Sequence, residues 1–285
     1  LFREVGQGDS IILIQGDSWG TQYEIKKSKE ILLNISDRNN IKFILAGNTS
    51  YSPSVSTAQL TKLKEDFKIS PDYIIISIDQ SDIGDELCRY KDLRKKIDGK
   101  IIVKPEPVGG AQVFGVKNHI DKYRILYSSG FYFFRLIKYK IFANRLAKLY
   151  ENYEIKCGGE NVLFKPLIEG LSDHDRNYLI EVIQDYINTA FSNEKLKKLV
   201  FVVHPHKNHL EGIYKENIEN VINDAVKKSI YSKSIITLNP YDAIKSKNIP
   251  LNQIFVKGDV FSHLVDDYFV KYYLKNVITT LLKII

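Results

Sequence analysis

The sequence contains no methionine in 285 residues, one tryptophan and only two cysteines. Each shortage excludes something. Cys88 and Cys157 form neither a Cys-x-x-Cys pair nor a metal-ligand cluster, so a zinc ribbon and a disulfide-rich scaffold are excluded. They read as two separate buried thiols that favour a reducing compartment, the cytoplasm; one disulfide is the alternative. No stretch of about 18 uninterrupted apolar residues occurs, so no bilayer-spanning helix is expected. The start of the chain lacks a signal-peptide pattern. Zinc-finger spacing, a homeodomain pattern and aromatic nucleic-acid motifs are missing as well, so no nucleic-acid partner is expected. The lack of methionine predicts that some positions are absent from the sequence and that certain spacings run short. An intact mass departing from 32.9 kDa would bear that out.

What is present suits a globular enzyme-sized domain. Apolar residues make up 44% and charged residues 26%, enough for a core and a solvated surface. The length fits one large α/β domain or two smaller ones, and a single domain over residues 1–285 is expected. The net charge of +7 and a pI near 9.0 favour acidic partners such as anionic glycans, phosphates or a membrane surface.

Order in the first third comes from alternation. Residues 11 to 14 are an apolar run that stops at Gly16-Asp17-Ser18-Trp19. Residues 41 to 46 repeat the pattern and stop at Gly47-Asn48, and residues 73 to 78, apolar at nearly every position, stop at Asp79-Gln80-Ser81-Asp82. Helical spacing fills the gaps at 20 to 33 and 54 to 69. Strand, turn and helix in this order predict a three-layer α/β/α sandwich with a parallel sheet. Right-handed crossovers bring the three turn clusters to one edge. The alternation then fails. Residues 106 to 196 are expected to be a helical insertion. Within it, residues 128 to 150 mix aromatics with lysine and arginine, as a membrane-surface helix, a lid or a packed insertion would. Strands return at 199 to 203 and 235 to 238, and a terminal amphipathic helix covers 266 to 284.

Serine is a poor nucleophile unless a histidine takes its proton and a carboxylate fixes the histidine tautomer. Ser18 follows the first strand, where a side chain is lifted into the crevice at the sheet edge. His263 with Asp259 precedes the last helix and supplies the base and its orienting acid. A rival grouping, His204-x-His206-x-x-His209, could bind a divalent ion, with Asp79, Asp82 and Asp85 as further carboxylates.

Taken together, these blocks resemble the SGNH/GDSL hydrolase superfamily, of flavodoxin-like architecture. The resemblance covers the chain outside roughly residues 106 to 196. It lies in a strand followed by Gly16-Asp17-Ser18, in Gly47 after the next strand, and in an acid and a histidine, Asp259 and His263, before the final helix. The spacing of that last pair is one residue longer than the family's Asp-x-x-His. Where the family has Gly-x-Asn-Asp, this chain has Asp79-Gln80-Ser81-Asp82. The resemblance implies an esterase or O-acyltransferase acting on an O-acyl, chiefly O-acetyl, group of a carbohydrate, without cofactor or metal. Ser18 would be the nucleophile, His263 the base and Asp259 its partner. The amides of Ser18 and Gly47, with Ser81 or Gln80, would form the oxyanion hole. Trp19, Asn48, Asp82, His204 and His206 are expected to contact substrate. The alternatives are a non-catalytic glycan- or partner-binding module and a metal-dependent hydrolase using His204, His206 and His209.

Overall fold

The computed structural model describes residues 2–103, 159–204, 206–240, 249–259 and 261–283. The aromatic-basic stretch at 128 to 150 and the first part of the expected insertion, 106 to 158, lie outside the described residues.

Six strands form one sheet in the order β1-β3-β2-β4-β7-β8. They are β1 (Arg3–Val5), β2 (Ser10–Gly16), β3 (Ile41–Leu45), β4 (Tyr73–Asp79), β7 (Lys198–His204) and β8 (Ile235–Leu238). All pairs are parallel except β1 with β3. β5 (Arg94–Ile97) and β6 (Lys100–Val103) form a separate antiparallel hairpin outside the main sheet.

The two-residue period of the strands sorts their side chains into two cores. Leu13, Ile74, Ile76, Leu199 and Phe201 point to one face, under the helices Pro53–Phe67, Asp173–Phe191 and Ile218–Lys227. Ile12, Ile14, Tyr73, Ile75, Val200 and Val202 point to the other. That face is covered by Lys26–Asn39 and by the C-terminal helical stretch, Asp266–Tyr268, Phe269–Leu274 and Lys275–Leu282. The architecture is a three-layer α/β/α sandwich. β4 is buried at all seven positions because a neighbour covers each face and each edge.

Two expectations change. Helix Asp173–Phe191, which sequence reading places inside the insertion, is a full layer of the sandwich, with Leu179, Ile183, Tyr186 and Ile187 in the core. Cys88 is disulfide-bonded, its partner lying outside the described residues. The reading of two separate thiols therefore does not hold, and the argument for a reducing compartment falls with it.

Candidate active site

β2 ends in a tight turn. Gly16 sits at φ +144°, and a Cβ there would come within 2.7 Å of the Ser77 carbonyl oxygen on β4. Only glycine lets the chain leave the sheet at this point. The next residue, Asp17, caps the short helix Ser18–Thr21 by accepting the Trp19 amide at 2.9 Å. Ser18 is thereby placed at the first helical position, half-buried at the sheet's carboxyl edge. Gly47, after β3, lies against the same helix: a Cβ on it would fall 2.2 Å from the Gly20 carbonyl carbon. The Asn48 amide donates to the Gly16 carbonyl at 2.9 Å and fixes this loop to the turn.

The C-terminal loop arrives from the far end of the chain. A single antiparallel bridge, Phe255 with Leu264, closes its base. The Val256 amide donates to the His263 carbonyl and the Val265 amide to the Ile254 carbonyl, each at 2.9 Å. Gln22 Nε2 donates to the Leu264 carbonyl at 3.0 Å, tying the loop to the segment after Ser18. Within the loop, His263 Nε2 is 2.7 Å from Ser18 Oγ and Nδ1 is 2.5 Å from Asp259 Oδ2. The spacing is one residue longer than Asp-x-x-His, and the backbone absorbs it. Ser262 adopts φ +57°, a left-handed conformation uncommon for serine, and Asp259 Oδ2 also accepts the His263 amide at 2.7 Å. Burial pushes the Asp259 carboxyl up, but the hydrogen bonds from the His263 ring and amide outweigh it and hold it below the ordinary carboxylate value. An ionised Asp259 fixes the proton of His263 on Nδ1 and leaves Nε2 to accept from Ser18.

Of the other expected site residues, several point elsewhere. Trp19 is wholly buried, its ring stacked 3.0 Å from that of His204 and 5.2 Å from that of His263, so it forms a wall behind the His263 ring and presents no exposed surface. His204 is also fully buried, and its Nε2 faces the Ser262 carbonyl at 3.3 Å. Burial, with His206 adding to it, pushes the His204 imidazole well below its ordinary value, so it is neutral. Ser81 is buried, and its hydroxyl donates to Asp79 Oδ1 at 2.6 Å. Gln80 is committed at long range: its Nε2 donates to Asn217 Oδ1 at 3.0 Å, and its Oε1 accepts the Ile218 amide at 3.0 Å. It thus caps the helix Ile218–Lys227. The second Gln80 amide hydrogen faces the His204 carbonyl at 3.5 Å, so both side chains of the expected third oxyanion donor are turned to protein partners. Asn48, by contrast, is exposed beside the turn.

No family model matches the chain, and no curated protein matches it. Among solved structures it is similar to a catalytic mutant of Axe2, an acetylxylan esterase from Geobacillus stearothermophilus. The identity is 8% and the TM-score 0.45, over 95% of this chain and 93% of that one. It is similar also to Est2A, an acetyl xylan esterase from the rumen bacterium Butyrivibrio proteoclasticus. There the identity is 8% and the TM-score 0.45, over 98% of this chain and 64% of that one. A third is LAE5, an alpha/beta hydrolase enzyme from the metagenome of Lake Arreo, at 10% identity and a TM-score of 0.44, covering 97% of each chain.

Behind the Ser18 turn lies a cluster that sequence reading recognised only in part. Asp17, Asp79 and Asp82 are all buried, with one oxygen of each within 4.8 Å of the others. His206, itself fully buried, places Nε2 3.1 Å from Asp79 Oδ2. The oxygens are largely taken. Asp79 Oδ1 accepts from the Ser81 amide and hydroxyl and from the Asp82 amide, and Asp82 Oδ2 accepts the Asp79 amide at 2.9 Å. Burial acts against ionisation of all three. At Asp79 the His206 imidazole and the Ser81 hydroxyl outweigh it, and the net direction is down. At Asp82, burial and then the crowding of the acidic neighbours Asp17 and Asp79 push the carboxyl well up. Within the cluster one carboxyl is thus held down while its neighbours are pushed up, and Asp82, being buried, is no surface contact. The three-histidine metal site does not assemble. His206 is engaged with Asp79, His204 with Ser262, and their rings lie 6.3 Å apart. His209 is half-buried with its imidazole pushed below the ordinary value by burial.

A cavity of about 610 Å³ is lined in part by Asp259 and Ser262. Lys207, Lys257, Asn208, Asn252 and Tyr214 contribute its polar wall.

Proposed function

We propose that the chain is a serine esterase that removes an O-acyl group, chiefly acetyl, from a carbohydrate through an acyl-enzyme on Ser18. The observation that carries this reading is the unbroken line Ser18 Oγ to His263 Nε2 to His263 Nδ1 to Asp259 Oδ2, at 2.7 and 2.5 Å. Hydroxyl, base and orienter stand in hydrogen-bond reach, which is the arrangement that makes a serine nucleophilic.

In this mechanism Ser18 Oγ attacks the ester carbonyl while His263 Nε2 takes its proton. As the bond from the acyl carbon to the sugar oxygen breaks, the imidazolium, steadied by Asp259, protonates that oxygen and the sugar leaves as an alcohol. Water repeats the sequence and releases the acid. A second sugar hydroxyl in place of water would make the same site a transferase. The Ser18 and Gly47 amides are the proposed oxyanion donors, since both flank the same turn. Substrate identity is supported by the motif resemblance together with the basic charge and the lysine-lined cavity.

One observation favours a second reading. Ser81 and Gln80 are committed to Asp79 and Asn217, so the third donor is not supplied by either side chain. A binding module that keeps the fold with little turnover would look like this. Hydrolysis of p-nitrophenyl acetate and of acetylated xylo-oligosaccharides separates the two. The esterase reading expects turnover that vanishes in Ser18→Ala. Equal, background-level rates in both proteins, with retained oligosaccharide binding, would establish the module instead.

A further inference from the structure

Ser18 Oγ has two close partners and one proton. It lies 2.7 Å from His263 Nε2 and 3.1 Å from Asp17 Oδ2. On the serine-nucleophile reading, on which this inference rests, Nε2 accepts the Ser18 proton. The contact between Ser18 and Asp17 then contains no serine hydrogen. Two oxygens that both present lone pairs at this separation repel each other in a buried site. A hydrogen has to come from the carboxyl. Asp17 Oδ1 already accepts the Trp19 amide, which leaves Oδ2 to carry it.

We propose that Asp17 is a neutral carboxylic acid whose Oδ2 donates a hydrogen bond to Ser18 Oγ, so that the nucleophile is held between an acid and a base. The surroundings agree. Asp17 is 4% exposed, and the groups facing it are acidic: Asp79 and Asp82 within 4.8 Å, and Asp85 beyond. The two imidazoles nearby are already engaged, His206 with Asp79 and His263 with Asp259. Among the described residues no lysine or arginine forms an ion pair with Asp17, Asp79 or Asp82. Burial, and after it the Asp79 charge, push the Asp17 carboxyl well above its ordinary value.

The acid acts when Oγ leaves. In deacylation, water adds to the acyl carbonyl as His263 takes its proton. The carbon–Oγ bond then breaks, its electron pair goes to Oγ, and the proton on His263 Nε2 moves to Oγ. Asp17 keeps its own proton throughout. Its hydrogen bond to an ester oxygen is weak and strengthens as negative charge returns to Oγ, so it stabilises the transition state more than the acyl-enzyme.

The test compares wild type with Asp17→Asn, which keeps an N–H donor, and Asp17→Ser, whose single, shorter hydroxyl keeps the helix cap at the Trp19 amide but lacks the second oxygen that extends to Ser18. With p-nitrophenyl acetate as the probe, Asp17→Ser should retain the initial burst of p-nitrophenol while its steady-state rate falls about 10–100-fold. Asp17→Asn should keep most of the wild-type rate. The infrared difference spectrum of wild type minus Asp17→Asn at pH 7 should show the carbonyl stretch of a protonated carboxylic acid. Absence of that band overturns the proposal whatever the kinetics. A band accompanied by equal losses in both variants overturns the role in Oγ departure. A wild type without burst or turnover contradicts the serine reading itself, and the infrared band still decides where the Asp17 proton is.

Discussion

Two aspartate–histidine pairs stand at the same edge of the sheet, and only one faces a serine hydroxyl. Asp259 and His263 are partly exposed, and the second nitrogen of His263 meets Ser18 Oγ. Asp79 and His206 are fully buried, and the second nitrogen of His206 meets no partner among the described residues. Both pairs hold an ionised carboxylate below its ordinary value. The pairing itself therefore does not distinguish the proposed catalytic pair from a structural one. What distinguishes the C-terminal pair is a third group within reach and a side open to solvent. The buried pair instead anchors the carboxylate cluster on which the Ser18 turn sits.

The largest expected contrast between the pairs is in turnover. Ser18→Ala or His263→Ala should lower kcat by about 10⁴-fold or more, whereas His206→Gln, which keeps a side-chain donor near Asp79, should cost far less. Steady-state kinetics on one activated ester checks this. Asp259→Asn should come next, with a loss of about 10³–10⁴-fold and a fold left intact by circular dichroism. The stability ranking should run the other way. His206→Leu leaves Asp79 charged and alone in the interior and should destabilise the protein by about 3 kcal/mol in urea unfolding. His263→Leu, at a partly exposed site, should cost about 1 kcal/mol or less.

The smallest effect is in pH dependence. Asp17 has a native value raised above the ordinary 3.8, so the folded state holds a proton that the unfolded chain has released above that pH. Its contribution to stability is fully present below about 3.8 and is lost as pH rises toward the native value. Asp17→Asn should flatten that slope in thermal melts between pH 4 and 7. Asp259, lowered in the native state, acts oppositely. Its contribution is present above the ordinary value of 3.8 and is lost as pH falls below it, and Asp259→Asn should remove that acid-side loss.

The same contrast shows how far the sequence could be read. Continuous apolar runs in β2, β3 and β4 reveal buried parallel strands, because only such strands need apolar residues on both faces. Gly16-Asp17-Ser18 and Asp259 with His263 are legible because each is a local pattern at a strand or helix boundary. Side-chain direction is not local. Trp19, Asp82, His204 and His206 occupy the carboxyl edge as expected, yet all four turn inward, since the pleat and the helix start decide which way they face. The use of Gln80 to cap a helix 138 residues later has no signature in either segment. Helix Asp173–Phe191 is legible with its bounds, since Ser172 is a plain N-cap whose hydroxyl accepts the Asp175 amide, but its place as a layer of the sandwich is not, because it follows a long stretch without alternation. The edge strand β1, three residues long, is too short for any period to register.

Covalent labelling bears most directly on the account. Wild-type protein treated with a fluorophosphonate and digested for mass spectrometry should carry one adduct, on Ser18. His263→Ala should label far more slowly, and His206→Gln at close to the wild-type rate. An adduct on another residue, or equal labelling rates in wild type and His263→Ala, would contradict the central claim that the C-terminal imidazole activates this serine.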